Sequence, residues 1–244
     1  MNQIAIIIPF FNESSRLQEG RYLKELSTIV KADFFYVNDG SSDGTSFKLE
    51  ELSHLTEAQI VNLKKNVGKG EAIRAGLIQA LGVKSYQIIG YLDADGAFPA
   101  SEVEISTSKA KNLFVQKSEI DIFIASRIKL AGKEIRRSQI RHYLSRLIIT
   151  LIGFRTKNLP YDSQSGLKFF RTSNALTEAI KAPFETRWFF DLELMSRLGM
   201  QKRDCIWEEP VNSWSDIKGS KIGVSSIFSI AKELWAVIRL LSRD

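Results

Sequence analysis

Two aspartates separated by one residue, Asp93 and Asp95, form the most informative chemical pattern in the chain. They follow residues 86–92, an apolar run typical of a buried strand, so the pair is predicted where a strand opens into a loop. Both side chains are ionised at neutral pH, since an unperturbed Asp titrates at ~3.9. Mg²⁺ or Mn²⁺ binds one or two such carboxylates and completes its shell with water and phosphate oxygens. On this segment alone, a turn built from Asp and Gly is the alternative.

Polar residues also follow two other predicted strands, residues 4–8 and 34–37. The first strand is followed by a proline, two aromatic residues and two hydrogen-bonding residues: Pro9, Phe10, Phe11, Asn12 and Glu13. The proline is predicted to end the strand, the aromatic rings can face a planar ring, and the two polar side chains can bind a base or a ribose. Asp39 follows the second strand, and ligands of open α/β sheets bind at the carboxyl ends of strands. We therefore expect Asp39 beside residues 9–13, with an ordinary strand-to-helix loop as the alternative for those residues.

Gly68 and Lys69 open a predicted helix over residues 69–81. A glycine and a lysine at a helix N-terminus can cradle an anion. A simple turn is the competing interpretation of this segment.

The 244 residues carry a net charge of +6, and the basic side chains cluster in residues 129–146. This excess suits an anionic partner: nucleic acid, phospholipid or a phosphorylated substrate. A single cysteine, Cys205, excludes an internal disulfide and favours a cytosolic protein. The first residues lack the basic region of a signal peptide, and no apolar run approaches the 18 or so residues of a membrane span, so neither is expected.

Short β-branched and aromatic runs alternate with helical patterns, which predicts an α/β fold with a mainly parallel sheet. Strands are predicted at residues 4–8, 34–37, 59–63, 87–92, 121–125, 167–170 and 204–207. Helices are predicted at residues 14–30, 45–55 and 69–81, and helices dominate after about residue 130. The length fits one large domain.

Two later segments have apolar residues at helical spacing. Residues 137–151 combine such a stripe with a basic flank, and residues 227–241 form a second stripe. The first can pack on the core or lie on an anionic membrane. The second can cover the core, a dimer interface or a membrane surface.

In this order, the motifs resemble those of family 2 glycosyltransferases with the GT-A fold, from residue 4 to about residue 235. Within that family the chain is most similar to polyprenyl-phosphate sugar synthases of the dolichyl-phosphate glucosyltransferase branch. The similarity rests on Asp93-Ala94-Asp95-Gly96, Arg136-Arg137-Ser138, residues 162–170, residues 188–194 and Gly219-Ser220-Lys221.

The resemblance implies a Rossmann-like, mainly parallel sheet flanked by helices, with a more helical C-terminal part. Residues 1–244 would form one glycosyltransferase domain. Within it, residues 1–128 would bind the nucleotide-sugar and residues 129–221 the acceptor, with a basic amphipathic segment at 133–154. Residues 222–244 would form a C-terminal amphipathic helix.

The resemblance also assigns roles to individual residues. The UDP-sugar would be bound by Pro9, Phe10, Phe11, Glu13, Asp39, Gly68, Lys69, Asp93, Ala94 and Asp95. Asp93 and Asp95 would hold Mg²⁺ or Mn²⁺. The acceptor phosphate would be bound by Arg127, Arg136, Arg137, Arg141 and Lys221. The catalytic residues would be Asp95, Arg127 and Asp162, the last matching an acid proposed as a base.

These roles predict that the protein transfers a sugar, with inversion, from a UDP-sugar to a polyprenyl phosphate. Glucose is the sugar that the resemblance favours. The enzyme would be cytoplasmic and peripheral on an anionic membrane. A soluble family 2 enzyme that elongates a surface polysaccharide is the alternative, and a non-catalytic nucleotide-sugar binding module is a third. Nucleic-acid binding is not expected, because no motif accompanies the positive charge. A homodimer is also compatible with the sequence.

Overall fold

A computed structural model describes residues 3–17, 20–154, 156, 158–217 and 225–241, without the side chains of residues 139–145 and 225–232. The described residues form nine strands and eight helices. The strands are β1 (Ile4–Phe10), β2 (Asp33–Asn38), β3 (Gln59–Asn62), β4 (Ile88–Leu92), β5 (Ile122–Ser126), β6 (Glu134–Arg136), β7 (Leu167–Arg171), β8 (Ile206–Pro210) and β9 (Ser213–Ser215). The helices are α1 (Arg21–Ile29), α2 (Thr45–Thr56), α3 (Lys69–Val83), α4 (Ala100–Gln116), α5 (Gln139–Gly153), α6 (Asn174–Ala179), α7 (Phe190–Arg197) and α8 (Ser225–Leu241).

Seven strands form the central sheet in the order β3-β2-β1-β4-β7-β5-β8. β7 runs antiparallel to β4 and β5, and the other pairs are parallel. The predicted α/β fold with a mainly parallel sheet is thereby confirmed. Because β7 enters between β4 and β5, the predicted nucleotide-sugar and acceptor halves share one sheet.

Both faces of the sheet are covered, which explains the unbroken apolar runs in the sequence. In β1, Ile4, Ile6 and Ile8 pack into the core on one face. Ala5 and Ile7 pack into the core on the other. A strand that is buried on both faces does not alternate apolar and polar residues.

Most element boundaries differ from the sequence prediction by one or two residues, and those of β1, α1 and β8 have consequences for the site or its prediction. β1 continues through Pro9 to Phe10, so the prediction that the proline ends the strand was wrong. Beyond Ile7 the strand pairs only with β2, and a proline is tolerated where one side of a strand has no neighbour. The first helix starts at Arg21 instead of residue 14, after turns and a left-handed Gly20. β8 is Ile206–Pro210 and not residues 204–207.

A small parallel sheet of β6 and β9 lies beside the loop that follows β4. The Ser215 N–H donates to the Ala97 carbonyl at 3.0 Å. This contact attaches the small sheet to the loop that carries Asp93 and Asp95, and Arg137 and α5 follow β6 along the chain. None of the helices among the described residues has the length and apolarity needed to cross a membrane.

Candidate active site

Three loops meet at one edge of the sheet, because β1, β2 and β4 are adjacent and parallel. The loops after β1 and β2 are joined by hydrogen bonds. The Asn12 N–H donates to Ser41 Oγ at 3.1 Å, and the Ser42 N–H donates to Asn12 Oδ1 at 2.9 Å. Glu13 N–H donates to Thr45 Oγ1 at 2.9 Å. The predicted proximity of Asp39 and residues 9–13 is therefore present.

The two aromatic residues of the first loop have different surroundings. Phe10 is 1% exposed and packs edge-on against Tyr36 at a centroid distance of 5.6 Å. Its side chain therefore belongs to the core, and only its carbonyl reaches the loops, where it accepts the Asp39 N–H at 2.8 Å. Phe11 is 37% exposed, so part of its side chain lies at the surface of this edge.

Asp39 is buried and holds the loop that precedes α3. Its carboxylate accepts the N–H groups of Val67 at 2.7 Å and Gly68 at 3.0 Å, and the Asn66 amide at 2.9 Å. Burial raises the pKa of Asp39, and the two backbone N–H groups oppose that shift. Asp39 thus fixes the start of α3, and its contact with a uridine stays a prediction.

Lys69, the first residue of α3, reaches the loop after β4. Its Nζ lies 2.6 Å from Asp93 Oδ1. The predicted helix N-terminus at Gly68 and Lys69 is therefore confirmed, and it lies beside the paired aspartates. The lysine offsets part of their negative charge.

Asp95 and Asp93 fit a divalent cation. Burial raises the pKa of Asp95, and the negative charge of Asp93 raises it further. Two carboxylates that repel each other in this way are stabilised by a bound cation. Among the described residues no group of three or more His, Cys, Asp and Glu side chains is placed to hold a metal. Two carboxylates suffice for Mg²⁺ when substrate phosphates supply further oxygens.

Tyr22 of α1 contacts the loop that carries these aspartates. Gly96 has φ +75° and lies against the Tyr22 ring. The Tyr22 hydroxyl donates to the Phe98 carbonyl at 2.7 Å. These contacts fix the backbone on the C-terminal side of Asp95.

Arg127 and Asp162 form a buried, bidentate ion pair. Arg127 Nε donates to Asp162 Oδ2 at 2.8 Å, and Nη2 donates to Oδ1 at 2.7 Å. The Arg127 backbone N–H also donates to Oδ2, at 2.8 Å. Burial alone would raise the pKa of Asp162, but the charge and hydrogen bonds of Arg127 lower it to about 2. Asp162 is therefore an anion throughout the physiological range and a weak proton acceptor.

Of the other predicted acceptor residues, Arg137 lies beside this pair. Arg137 Nη1 is 4.0 Å from Asp162 Oδ1, and burial followed by the positive charge of Arg127 lowers the pKa of Arg137. Arg136 is exposed on β6. Arg141 lies in α5 where side chains are not described, and Lys221 lies outside the described residues. The structure therefore brings together Arg127, Arg137 and Asp162.

The loop of residues 162–166 joins the two parts of the site. It begins at Asp162, and Gly166 contacts Asp93, whose N–H donates to the Gly166 carbonyl at 2.8 Å. A Cβ on Gly166 would lie 2.4 Å from Asp93 Oδ2, so only glycine fits. This loop therefore contacts both Asp93 and the Arg127–Asp162 ion pair.

Trp214 and Lys168 carry no role in the sequence predictions. The Arg127 guanidinium lies 5.1 Å from the centre of the Trp214 ring, and Lys168 is fully buried beneath the loop. Two sequence features could have drawn attention to buried charged residues here: a lysine in the apolar strand β7, and the acids Asp191 and Glu193 in an apolar helix. Both acids are buried with partners, as the desolvation of a charged side chain requires.

Comparison with known proteins agrees with this geometry. The sequence profile of glycosyl transferase family 2 matches residues 5–173. A dolichyl-phosphate beta-glucosyltransferase of Trichomonas vaginalis is 30% identical over 95% of this chain and 71% of its own length. The human dolichyl-phosphate beta-glucosyltransferase is 33% identical over 90% of this chain and 69% of its own length.

Solved structures share the fold at lower identity. Glucosyl-3-phosphoglycerate synthase from Mycobacterium tuberculosis, solved with Mg²⁺ and UDP, superposes with a TM-score of 0.67 at 18% identity, over 98% of this chain and 78% of that one. A mannosyltransferase from Pyrobaculum calidifontis, solved with GDP-mannose and Mn²⁺, gives 0.65 at 17% identity, over 99% and 64%. These similarities show the GT-A fold of the chain.

Proposed function

The chain belongs to glycosyl transferase family 2, and we propose that it transfers glucose from UDP-glucose to a polyprenyl phosphate, with inversion, at the cytoplasmic face of a membrane. The relatives at 30–33% identity support the sugar and the acceptor. The neighbours solved with UDP or GDP-mannose support a nucleotide-sugar donor.

The observation that carries the proposal is the trio of Arg127, Arg137 and Asp162. Two guanidinium groups share one carboxylate, so the trio carries a net charge of +1. The Arg127 and Arg137 side chains are 12% and 13% exposed, which leaves a small part of each open to a ligand. Guanidinium groups match phosphate in both charge and geometry.

The low pKa of Asp162 favours a phosphate acceptor over a sugar hydroxyl. A hydroxyl needs a general base with a pKa close to the working pH. Asp162, with a pKa of about 2, does not meet that need. A phosphate monoester has its second pKa at ~6, so it arrives at neutral pH already as a nucleophilic anion.

The residues on the donor side would then bind and orient the nucleotide-sugar. Asp93 and Asp95 would hold Mg²⁺ or Mn²⁺, which when bound offsets the charge of the departing diphosphate. Lys69, paired with Asp93, adds a cation beside the same phosphates. Arg127 and Arg137 hold the acceptor phosphate in line with the sugar carbon, so that attack and departure occur on opposite faces.

Exposed apolar residues on α5 support membrane contact. Leu147, Leu151 and Phe154, called here the apolar face, are 57%, 43% and 79% exposed, and Trp235 on α8 is 65% exposed. The first three lie at helical spacing on one side of α5 and its end, α8 contacts α5, and the Arg239 guanidinium lies 5.6 Å from the centre of the Trp235 ring. An apolar stripe with arginines beside it is typical of a helix on an anionic lipid surface. Arg146 of α5 donates to the carbonyl of Tyr161 at 3.1 Å, one residue before Asp162, so this surface would lie next to the acceptor site.

A panel of donors and acceptors tests the proposal. The purified chain is incubated with UDP- and GDP-sugars, a polyprenyl phosphate or a saccharide acceptor, and Mg²⁺, Mn²⁺ or EDTA. We expect a lipid-linked sugar phosphate from UDP-glucose, and no product in EDTA. Transfer only to the saccharide would overturn the proposal in favour of polysaccharide elongation.

A further inference from the structure

Lys168 lies at the centre of the sheet with its ammonium group fully buried. It is the second residue of β7, opposite Tyr91 on β4 and Ile124 on β5. Its exposure is 0%, and residues on the same face of β7 pack in the core. A lysine in such a position is stabilised only when its charge is paired and its donors are used.

Three acceptors surround the ammonium group and use its three N–H donors. Nζ donates to Asp191 Oδ1 at 2.9 Å, to the Tyr91 hydroxyl at 2.8 Å and to the Ser165 carbonyl at 2.6 Å. The Tyr91 hydroxyl in turn donates to Asp191 Oδ1. Asp191 is 3% exposed, so neither charge of this pair reaches solvent.

The network connects the parts of the site that must keep a fixed separation. Ser165 belongs to the 162–166 loop, which holds Arg127 at one end and contacts Asp93 at the other. Tyr91 lies two residues before Asp93 on β4. Asp191 lies on α7, where the preceding Phe190 packs so closely on α3 that a Cβ on Gly70 would lie 2.6 Å from its ring.

We propose that Lys168 is a positioning residue for the transfer reaction, which fixes the 162–166 loop through the Ser165 carbonyl while Asp191 and Tyr91 fix the ammonium group. Lys168 acts on the substrates only through this loop. The role rests on the proposed function for its catalytic effect, but not for its effect on the loop. A buried ion pair adds little net stability, so the pair is explained better by the geometry that it imposes.

The test is a pair of double variants that keep the interior neutral. Lys168→Met with Asp191→Leu removes both charges and the donor to Ser165. Lys168→Gln with Asp191→Asn also removes both charges but retains an N–H donor toward that carbonyl. Removing both charges avoids the unpaired buried ion that a single substitution would leave.

Hydrogen exchange and turnover are measured on both variants. We expect amides of residues 162–167 to exchange about ten-fold faster in the Met/Leu variant, as loss of one charge-assisted hydrogen bond predicts. Turnover should fall roughly 100-fold with UDP binding unchanged, since a small displacement of a reacting group has that effect. The Gln/Asn variant should recover most of both properties.

Unchanged exchange in the loop of a folded Met/Leu variant would overturn the proposal. Equal exchange and equal turnover in the two double variants would do the same, because only one of them retains the donor. Exchange is read without substrate, so it decides the role of Lys168 even when the wild-type chain transfers no sugar. Absence of sugar transfer by the wild-type chain would reject the proposed function but not the role of Lys168 in the loop.

Discussion

Arg127 is held from three directions before any substrate binds. Asp162 accepts two hydrogen bonds from its guanidinium group, the Gln164 carbonyl accepts a third at 2.9 Å, and Trp214 lies over its face. A side chain fixed in this way loses little further conformational freedom on binding an anion. At the scale of residues, the chemistry therefore depends on partners that touch Arg127 as much as on Arg127 itself.

Asp95→Asn should reduce turnover by roughly 100-fold or more, because the amide removes a negative charge from the predicted metal ligands. The fold should persist, since the Asn oxygen can still accept the Ala97 N–H. Sugar transfer and the thermal midpoint are measured together. Turnover equal to that of the wild type would reject the metal assignment.

The Asp162 ion pair gives a prediction for stability against pH. Its folded-state pKa of about 2 lies below the unfolded value of ~3.9, so the pair contributes stability above pH 4 that is lost as the pH falls toward 2. The contribution at neutral pH is about 2–3 kcal/mol by this linkage. Urea unfolding of the wild type and Asp162→Asn should therefore differ most above pH 4, with the difference shrinking toward pH 2.

Asp33→Asn is the matched control for this experiment. Asp33 pairs with Lys84 at 3.0 Å, but its side chain is 31% exposed. Partly exposed pairs contribute less than about 1 kcal/mol. A difference for Asp162→Asn that is no larger than that of Asp33→Asn would contradict the assigned burial and pairing.

At the scale of elements, unbroken apolar runs identified the central strands, because strands covered on both faces need no polar alternation. The start of α1 was missed since the residues after Glu13 join the neighbouring loop: the Ser14 N–H donates to Asp43 Oδ2 at 3.1 Å. Such long-range contacts leave no periodic signal. The order of strands around β7 was equally beyond the reach of local patterns.

The start of α3 depends on Gly68. Its φ is +96°, and a Cβ at this position would lie only 2.8 Å from Arg187 Nε, so any larger residue is disfavoured. Gly68→Ala should lower the free energy of unfolding by about 1–3 kcal/mol and weaken UDP binding, because the loop held by Asp39 shifts. Gly82→Ala, in the same helix with open space around it, should be stabilising by about 0.5–1 kcal/mol. Equal effects at the two positions would contradict this role for Gly68.

The apolar face gives a prediction for membrane contact. Leu151→Glu with Phe154→Glu should reduce co-flotation with anionic phospholipid vesicles by roughly ten-fold or more, because each buried apolar side chain contributes about 1.5–3 kcal/mol. Phe47→Glu with Val115→Glu changes two side chains that are 78% and 80% exposed on α2 and α4. This control should float like the wild type, and equal losses in both variants would reject the apolar face as the membrane contact.

At the scale of the whole molecule, the sheet brings the distant motifs together. Asp39 lies beside residues 9–13 as the sequence predicted, because adjacent parallel strands end at the same edge. Lys168 and Asp191 were not paired by sequence reasoning, since their contact depends on the register of β7 and on the packing of α7. The proposed donor and acceptor sides are thus joined by an interior network that sequence patterns do not reveal.

Two lipids that differ only in the acceptor phosphate test whether this phosphate is the group that receives the sugar. Initial rates of glucose transfer from UDP-glucose are measured with a polyprenyl phosphate and with the polyprenol of the same length, in the same vesicles and with the same metal ion. A basic trio without a general base predicts transfer to the phosphate and none detectable to the alcohol. Equal rates with the two lipids would contradict this prediction.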